Sequence, residues 1–434
     1  MPSTNADMPG AQLDMPVAPA QCPDSRYPGA GRAWYIAFCL FAATVLAYID
    51  RGIIALLIPD IKQAFGLTDT SISLIQGIAF SIPLSIAAVP AGHWVDRFNR
   101  RNMVAAGIIV WSLMTIGCGL AGTVTQLFLA RAGVGAGEAL LIPAAYSIVA
   151  DCFAPDRRGR PMAVLVAGAS MGGALSSFLA GVILKLLDGR KAVDVALLGS
   201  LEVWRFVFVL FGLCGVAFAA LVLTFREPVR HGMGELTTQK RAEGQKFLGF
   251  ARRHPALFSL MYLLVACNVL IATALNSWVM VALIRVYHVP SGDAGMIIGG
   301  VKVAANVSGA ILGGFVGDAL IARRLPFGRL AAWFLSLPMI AAGGLCMYLA
   351  PASTYFLAGF IIAGIFTAIQ TSVTYPMIYD VVPASTRGQS VGYCMVFSNI
   401  IGTGLGTTIL ASITDYVFRD DGKVAQSMGV LTIG

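Results

Sequence analysis

Two charged pairs lie inside apolar stretches of the sequence, and these are the residues best suited to chemistry. Arg131 and Glu138 are seven positions apart in the apolar run from about Gln126 to Ala150, so on a helix they share one face. Asp50 and Arg51 are neighbours in an earlier apolar run and point about 100° apart on a helix, so each needs a partner elsewhere. A charge at the centre of a membrane costs at least about 2.5–3.5 kcal/mol. The two pairs therefore indicate a polar path through a helical bundle, in which they serve as partners for one another.

The composition is that of an integral membrane protein. Of the 434 residues, 57% are hydrophobic and 12% are charged, whereas soluble domains carry about 25% charged residues. The formal net charge of +8 is spread over the ends of apolar spans and forms no basic stripe, which argues against nucleic acid as a partner. The eight cysteines show neither a disulfide framework nor metal-ligand spacing. We therefore expect no metal and no other cofactor.

The hydropathy pattern divides the chain into two sets of apolar spans. Residues 1–30 are typical of a disordered tail, residues 31–225 of a half with six spans, and residues 226–255 of a polar linker. Residues 256–434 hold five complete spans and an apolar run from Val424 to Gly434, which is too short for a bilayer that needs about 20 residues. This predicts an all-α membrane protein of two six-helix halves, with the twelfth helix truncated here.

Internal repetition indicates that the two halves run in the same direction. Gly314-Phe-Val-Gly-Asp318 echoes Gly92-His-Trp-Val-Asp96, and the two aspartates are 222 positions apart. Basic residues are roughly twice as frequent at the span ends that share a side with the N-terminus as at the opposite ends. We therefore expect a multi-pass protein of the plasma or inner cell membrane with both termini and the linker in the cytoplasm.

The loop between the second and third spans resembles the signature loop of the major facilitator superfamily. Its sequence is Gly92-x-x-x-Asp96-Arg97-x-x-Arg100-Arg101, and the degraded copy around Asp318 falls where that family repeats it. Within the superfamily, Tyr48-x-Asp50-Arg51 and Arg131-x-x-x-Gly135-x-Gly137-Glu138 are similar to a narrower group. That group contains the spinster-like lipid transporters and the organic anion–proton symporters, and the sequence looks closest to bacterial spinster-like members.

The resemblance implies a role for each matching residue. Asp50 and Glu138 correspond to carboxylates that bind and release protons. Arg51 and Arg131 correspond to arginines that bind the substrate and couple its binding to that of the proton. The residues implied as a cytoplasmic gate are Gly92, Asp96, Arg97, Arg100, Arg101 and Asp318. Glycine at position 92 is expected to permit close helix approach.

Other polar side chains within the spans are candidates either for substrate contact or for interhelical hydrogen bonds. Lys302 lies in the eighth span and is a buried cation outside the family pattern. It shares one helix face with Asn306, four positions on. The additional substrate-binding candidates are Tyr48, Asn276, Lys302 and Gln370.

These features favour a proton-coupled secondary transporter that moves an organic anion by alternating access. Its expected partners are an anionic small molecule or lipid, protons and membrane lipid, and we expect a monomer. If Lys302 shares one cavity with the two arginines and the two carboxylates, the site carries about +1 when both carboxylates are ionised and about +3 when both are protonated. An anion should then bind better at lower pH.

Three alternatives remain open at this point. A spinster-type carrier of lysolipids or sphingoid lipids would combine the same cations with an apolar groove. A membrane-embedded enzyme could use Asp50 and Glu138 as an acid–base pair, although no metal motif or cofactor fingerprint accompanies them. Gly168-Ala-Ser170-Met-Gly172 formally matches a nucleophile elbow, but it lies in mid-span with no strand before it. A non-transporting sensor would usually carry a sizeable soluble domain.

Overall fold

The computed structural model describes residues 27–154, 157–187, 190, 192–195, 199–230, 249, 251–323, 328–382 and 387–433. Most of the expected tail and much of the expected linker lie outside these ranges. Asp96 and Asp318 lie on described helices, but their side chains are outside the description. The expectations for these two side chains therefore remain predictions.

Eight described helices and one hairpin form the first half. The helices are α1 (Ala30–Phe65), α2 (Asp69–Gln76), α3 (Ile78–Arg97), α4 (Arg100–Leu120), α5 (Val124–Glu138), α6 (Leu141–Cys152), α7 (Gly159–Leu186) and α8 (Val203–Leu223). The hairpin consists of β1 (Ala192–Val195) and β2 (Gly199–Glu202), paired antiparallel. Side-chain caps fix where three of the helices begin, because Thr68, Asn99 and Thr123 each accept a hydrogen bond from a backbone N–H of the first turn.

The second half is also helical in the part of the chain that the structure describes. Its helices are α9 (Pro255–Arg285), α10 (Ser291–Ala322), α11 (Gly328–Leu335), α12 (Leu337–Leu349), α13 (Ser353–Val381), α14 (Arg387–Ser398), α15 (Gly404–Ser412) and α16 (Val424–Ile433). π-Helical segments Asn399–Thr403 and Ile413–Phe418 flank α15, and a 3₁₀ turn, Asp421–Lys423, precedes α16.

Eleven described segments are long and apolar enough to cross a membrane, as the sequence predicts. Helices are the expected form, because no water is available in lipid to satisfy an open backbone. Spans 2, 4 and 9 each consist of two helices, with the breaks at Gly77, at Ala139–Leu140 and at Ser336. These breaks and the β1–β2 hairpin were not predicted. The strands of the hairpin have four residues each and are too short to show a clear period.

The two halves contact each other mainly along two pairs of spans, and span 1 also contacts span 7. At the break in span 2, a Cβ on Gly77 would lie 2.5 Å from the backbone oxygen of Gly404 in span 11. Span 5 meets span 8 at Gly181, where a Cβ would lie 2.7 Å from the backbone oxygen of Gly292. We call the end of the bundle that contains Asp69 the Asp69 end, and the opposite end, with the loop after span 2, the Asp96 end.

Spans 9 and 10 cross backbone to backbone within the second half. A Cβ on Gly343 would lie 2.7 Å from the carbonyl oxygen of Gly359 and 2.8 Å from the backbone nitrogen of Ala363. Neither neighbour is the end of a flexible side chain, so a larger residue at position 343 must push the two helices apart.

We therefore expect Gly343→Leu to lower the stability of the purified protein by about 1–3 kcal/mol, the usual cost of overpacking. Thermal unfolding in detergent, monitored by size-exclusion chromatography, measures the change. The matched control is Gly392→Leu in span 11, because a Cβ at Gly392 meets nothing within 4 Å. Equal losses in the two variants would contradict the crossing.

Candidate functional site

A buried ion pair joins the first and fourth spans. Arg51 donates from Nε to Oε2 of Glu138 over 2.5 Å. The Glu138 side chain is fully buried, whereas 22% of the Arg51 side chain is exposed. The guanidinium carbon of Arg51 lies 4.5 Å from the ring centroid of Tyr48 and 4.9 Å from that of Phe80. The arginine is therefore partly exposed, and its carboxylate partner is not.

Asp50 contacts a different span from its neighbour, as the angle between the two on a helix requires. Thr115 of α4 donates its hydroxyl to Oδ2 of Asp50 over 2.5 Å. The other oxygen, Oδ1, is buried and has no hydrogen-bond partner among the described residues. The first span is thus fixed to the third through Asp50 and to the fourth through Arg51.

Arg131 is the second arginine near the two carboxylates. Its side chain is almost completely buried, and its Nε and Nη1 have no hydrogen-bond partner within the described ranges. Its guanidinium carbon is 5.5 Å from the ring centroid of Phe80, and its charge acts on both Asp50 and Glu138. We call Asp50, Arg51, Arg131 and Glu138 the charged quartet, which is neutral when both carboxylates are ionised.

Glycines between Arg131 and Glu138 let two spans approach the quartet. A Cβ on Gly135 would collide with the backbone oxygen of Phe80 in span 2. A Cβ on Gly137 would lie 2.8 Å from the backbone nitrogen of Trp111 in span 3. Spans 2 and 3 therefore contact α5 backbone to backbone.

Lys302 lies apart from the quartet, beside a cavity of about 350 Å³ formed by spans 5, 7, 8 and 10. Its Nζ donates to Oγ of Ser177 and to the backbone oxygen of Asn276, both over 3.1 Å. Lys302 is buried, and no carboxylate pairs with it among the described residues. The polar residues that line the cavity are Ser170, Asn276, Lys302, Asn306, Thr367, Thr371 and Ser372.

The buried charges therefore lie in two places, the quartet and the Lys302 cavity, and not in one shared site. None of the quartet residues lines the Lys302 cavity. The quartet ranges from neutral to +2 as its carboxylates are protonated, and Lys302 contributes its positive charge elsewhere. The rotation of span 8 is set by its contact with span 5, a relation between the halves that the sequence does not reveal.

Two further substrate-binding candidates differ in their surroundings. The side-chain amide of Asn276 donates to the backbone oxygen of Ala272 over 2.7 Å, and the residue lines the cavity. Gln370 is buried outside the cavity lining, accepts from Asn268 over 2.7 Å and donates to the backbone oxygen of Trp333 over 3.1 Å. Gln370 therefore acts as an interhelical hydrogen-bond residue in this conformation, which was the alternative expectation.

The basic residues of the Asp96 end bind within the first half. Arg100 is buried and donates to Asp151 of span 4 and, over 2.8 Å, to Glu227 after span 6. Arg101 donates to the backbone oxygen of Phe225 over 3.1 Å, and Arg97 is exposed. The described contacts of Arg100 and Arg101 thus connect the loop to spans 4 and 6.

Gly92 makes no close helix contact in the conformation shown, so its expected role in helix packing stays a prediction. A Cβ at Gly92 would meet nothing within 4 Å, and the same holds at Gly314 in the degraded copy. The conformation shown leaves room at both positions, so neither glycine is required there for a close approach of two helices.

Sequence reasoning missed several residues that shape these sites. Thr115 and Ser177 hold Asp50 and Lys302, but a hydroxyl in an apolar span carries no pattern that distinguishes it from a hydroxyl bonded to its own helix. Asp151 and Glu227, the partners of Arg100, appeared as ordinary charges at span ends. A search for carboxylates that can neutralise a loop arginine at the same membrane end could have found them.

Eleven apolar spans in the described residues, with a buried charged quartet in the first half, are typical of membrane transport proteins. Residues 40–407 match the family model described as Major Facilitator Superfamily, and this chain belongs to that family. The match covers spans of both halves. The chain is therefore a member of a family of transport proteins.

Several characterised proteins resemble parts of the chain. It is 32% identical over 195 residues to an MFS-type efflux pump of Mycolicibacterium smegmatis, a match covering 45% of this chain and 42% of the relative. It is 30% identical over 223 residues to a probable L-galactonate transporter of Escherichia coli, covering 51% and 45%. It is 34% identical over 203 residues to protein spinster homolog 1 of Homo sapiens, covering 46% and 36%. The chain thus spans less than half the length of each of these relatives.

The fold is similar to a crystal structure of a bacterial homolog to the human lysosomal transporter spinster, in an inward-facing and unoccupied conformation. The TM-score is 0.78, the identity is 24%, and the match covers 94% of this chain and 95% of the other. The likeness shows that the two chains share their fold along almost their whole length.

Removing only one partner of the Arg51–Glu138 pair leaves a buried charge without compensation. We expect Arg51→Gln to lower the stability of the purified protein by about 3–5 kcal/mol at a pH where Glu138 is ionised. The double variant Arg51→Gln/Glu138→Gln should lose much less than the sum of the two single variants. Thermal unfolding of all three in detergent measures the coupling, and additive losses would contradict a direct pair.

Proposed function

We propose that this protein is a proton-coupled secondary transporter that carries an organic anion across the membrane by alternating access. The observation that carries the proposal is the pair between buried Glu138 and partly exposed Arg51. A buried ion pair is often no more stabilising than apolar residues of similar volume. Four charges in the core of a membrane bundle are therefore better explained by a switch than by stability.

Protonation of Glu138 would remove the negative charge that holds Arg51. Arg51 is the quartet residue whose side chain is partly exposed, whereas Asp50, Arg131 and Glu138 are at most 5% exposed. Once released, the guanidinium of Arg51 offers a planar fork suited to a carboxylate or a phosphate. Proton uptake and anion binding would thus promote each other.

The net charge of the quartet also predicts that protonation favours anion binding. The quartet is neutral with both carboxylates ionised, and it reaches +1 or +2 as they take up protons. A net positive charge in a low-dielectric interior is costly unless an anion enters to compensate. Anion binding should therefore strengthen as the pH falls. Loss of the proton on the far side would restore the Arg51–Glu138 pair and release the anion.

The Lys302 cavity would provide the second half's part of the substrate-binding site. Its volume of about 350 Å³ is at the low end of the range of about 300–1,000 Å³ that is usual for ligand pockets, which suits a small organic acid. Lys302 has no described carboxylate partner and provides a point charge for the anion. A ligand held between Arg51 and Lys302 would contact both halves, as rocking of two halves around a central site requires.

The polar lining favours a hydroxylated acid as the substrate. About half of the residues that line the cavity have hydroxyl, amide or ammonium groups, among them Ser170, Asn276 and Asn306. The Escherichia coli relative is a probable L-galactonate transporter, which agrees with such a ligand. Tyr48 would contribute through its stacking on Arg51.

A spinster-type lysolipid or sphingoid lipid carrier is the second candidate. Val166, Leu275 and Phe360 give the cavity an apolar side, and Val166 is 56% exposed on the surface of span 5. The similarity to human protein spinster homolog 1 also favours this reading. The volume of the cavity favours the smaller ligand in the conformation shown.

The positive-inside pattern places the Asp96 end and the N-terminus in the cytoplasm in this proposal. The loop with Asp96, Arg97 and Arg101 would then act at the cytoplasmic end, and Asp318 would act at the repeated position of the second half. The protein would work as a monomer in the plasma or inner cell membrane, without a cofactor.

Proton coupling should depend on the quartet carboxylates. Asp50→Asn and Glu138→Gln imitate the protonated state, so we expect each to abolish proton-driven accumulation of the anion in proteoliposomes while anion exchange continues. Asp194→Asn, on the exposed hairpin, is the matched control and should accumulate like wild type. Accumulation against a gradient by both quartet variants at wild-type level would show that the coupling assignment is wrong.

Anion affinity should depend on Lys302 if its cavity is the substrate site. We expect Lys302→Gln to weaken binding of a sugar acid at least tenfold, which equals about 1.4 kcal/mol, and Lys302→Arg to retain part of the affinity. Isothermal titration calorimetry on the purified protein measures the affinity. Lys423→Gln, an exposed lysine outside the cavity, should bind like wild type. Unchanged binding in Lys302→Gln would show that this cavity is not the substrate site.

A further inference from the structure

Asp69, the first residue of α2, is a buried carboxylate bound by two cations. Lys62 donates from Nζ to Oδ1 over 2.9 Å, and Arg285 donates to Oδ2 and Oδ1 over 2.6 and 3.1 Å. The Asp69 side chain is fully buried. Lys62 and Asp69 belong to the first half and Arg285 to the second. The ion pair of Arg285 with Asp69, which has two hydrogen bonds, therefore joins the two halves.

Other charged contacts cross between the halves at the same place. Lys62 also donates to Oδ2 of Asp421 over 2.5 Å. Thr70 donates from its backbone nitrogen and from its hydroxyl to Oδ2 of Asp415, both over 2.7 Å. Lys62 therefore binds one carboxylate of each half. We call Lys62, Asp69, Thr70, Arg285, Asp415 and Asp421 the Asp69 latch.

A tight turn places two of these residues together. Gly66 ends α1 with φ of 64°, a left-handed conformation that favours glycine, and Leu67 donates from its backbone nitrogen to the oxygen of Lys62 over 3.1 Å. The turn brings the last part of α1 beside the start of α2. The latch is thus attached to the rigid ends of spans, so that movement of the halves is transmitted to it.

A second contact between the halves lies at the same end but contains no latch residue. A Cβ on Gly295 of span 8 would lie 2.5 Å from Cα of Gly181 in span 5 and 2.7 Å from the backbone oxygen of Ser177. Nearby, Lys185 and Asp293 form an ion pair of 2.7 Å whose side chains are about half exposed. We call the contact between Gly181, Gly292 and Gly295 the glycine seam.

The ion pairs between the halves that the structure describes all lie at the Asp69 end. They are Lys62–Asp421, Arg285–Asp69 and Lys185–Asp293. The side chains of Lys62 and Arg285 are 20% and 18% exposed, so both are at the edge of the buried region and can be hydrated when the halves separate. Asp69 is the fully buried member, and its loss would leave both cations without their shared partner.

We propose that Asp69 is the shared acceptor of an ion latch that holds the two halves together at the Asp69 end, and that each transport cycle requires this latch to open. The latch stabilises the conformation that is closed at this end. Neutralising Asp69 shifts the equilibrium toward the conformation in which the Asp69 end is open.

The test measures the separation of the halves at the Asp69 end in the full chain in lipid nanodiscs. Spin labels are attached at Ser200→Cys on β2 and Thr354→Cys at the start of α13, both exposed and in different halves. The exposed native cysteines, Cys214, Cys267 and Cys346, are replaced by alanine, as is Cys22. Pulsed electron paramagnetic resonance then gives the ratio of long to short separations.

We expect Asp69→Asn to raise this ratio at least tenfold. Arg285→Gln removes the same contact from the other half and should raise it by a similar factor. The double variant should gain little beyond the larger single effect, because both substitutions break one contact. Asp60→Asn, an exposed carboxylate on α1 at the same end, is the matched control and should leave the ratio unchanged.

A steric variant shows that the labels report opening. Gly295→Val forces the glycine seam apart without touching a charge, whereas Gly300→Val on the same helix meets nothing within 4 Å. Gly295→Val should raise the ratio, and Gly300→Val should not. If Gly295→Val opens this end while Asp69→Asn and Arg285→Gln leave the wild-type ratio, the latch is overturned.

Size-exclusion chromatography of each variant separates a folding defect from a shift in conformation. If Asp69→Asn does not fold, Arg285→Gln decides the outcome alone, because it leaves Asp69 with Lys62. The measurement uses neither substrate nor a proton gradient. Its failure would therefore leave the proposed function untouched, and failure of anion transport would leave the latch untouched.

Discussion

The structure depends on one constraint, which is that a charge in a membrane interior must have a compensating partner in every conformation. Glu138 satisfies this constraint through Arg51, and Asp69 satisfies it through Lys62 and Arg285. The first pair lies inside one half and the second joins the two halves. A transporter can use this difference, because exchange of partners within a half can bind a ligand, while exchange between halves can change which end is open. Lys302 is buried and has no described carboxylate partner, so an anionic substrate would provide the compensating charge there.

Glycines determine where these charges can lie. Gly135 and Gly137 bring spans 2 and 3 into backbone contact with the helix that carries Arg131 and Glu138. The same kind of contact at Gly181 and Gly295 fixes span 8 against span 5 and so directs Lys302 toward Ser177. Close backbone packing excludes lipid and water from the charged groups, which strengthens their interactions. The same glycines therefore determine both where the charged groups lie and how strongly they interact.

The sequence predicted the spans and the Arg51–Glu138 pairing for physical reasons. Long apolar runs identify membrane helices, and two adjacent charges on a helix cannot satisfy each other, so partners on another span were required. The relation between the halves could not be predicted in this way. Whether Lys302 shares a cavity with the quartet stayed open, because the sequence predicts its burial but not the rotation of span 8. Asp69 was not singled out from the sequence, since its partner Arg285 is 216 positions away.

The central claim is that an anion and a proton bind together, and the proton uptake of the wild-type protein tests it most directly. The purified protein is titrated with a sugar acid such as galactonate in weakly buffered detergent solution, while the pH of the solution is recorded and binding is followed by calorimetry. The account predicts that the solution becomes more alkaline, by about one proton taken up for each anion bound, because protonation of Glu138 accompanies the release of Arg51. Saturable anion binding without proton uptake, or with proton release, would contradict it.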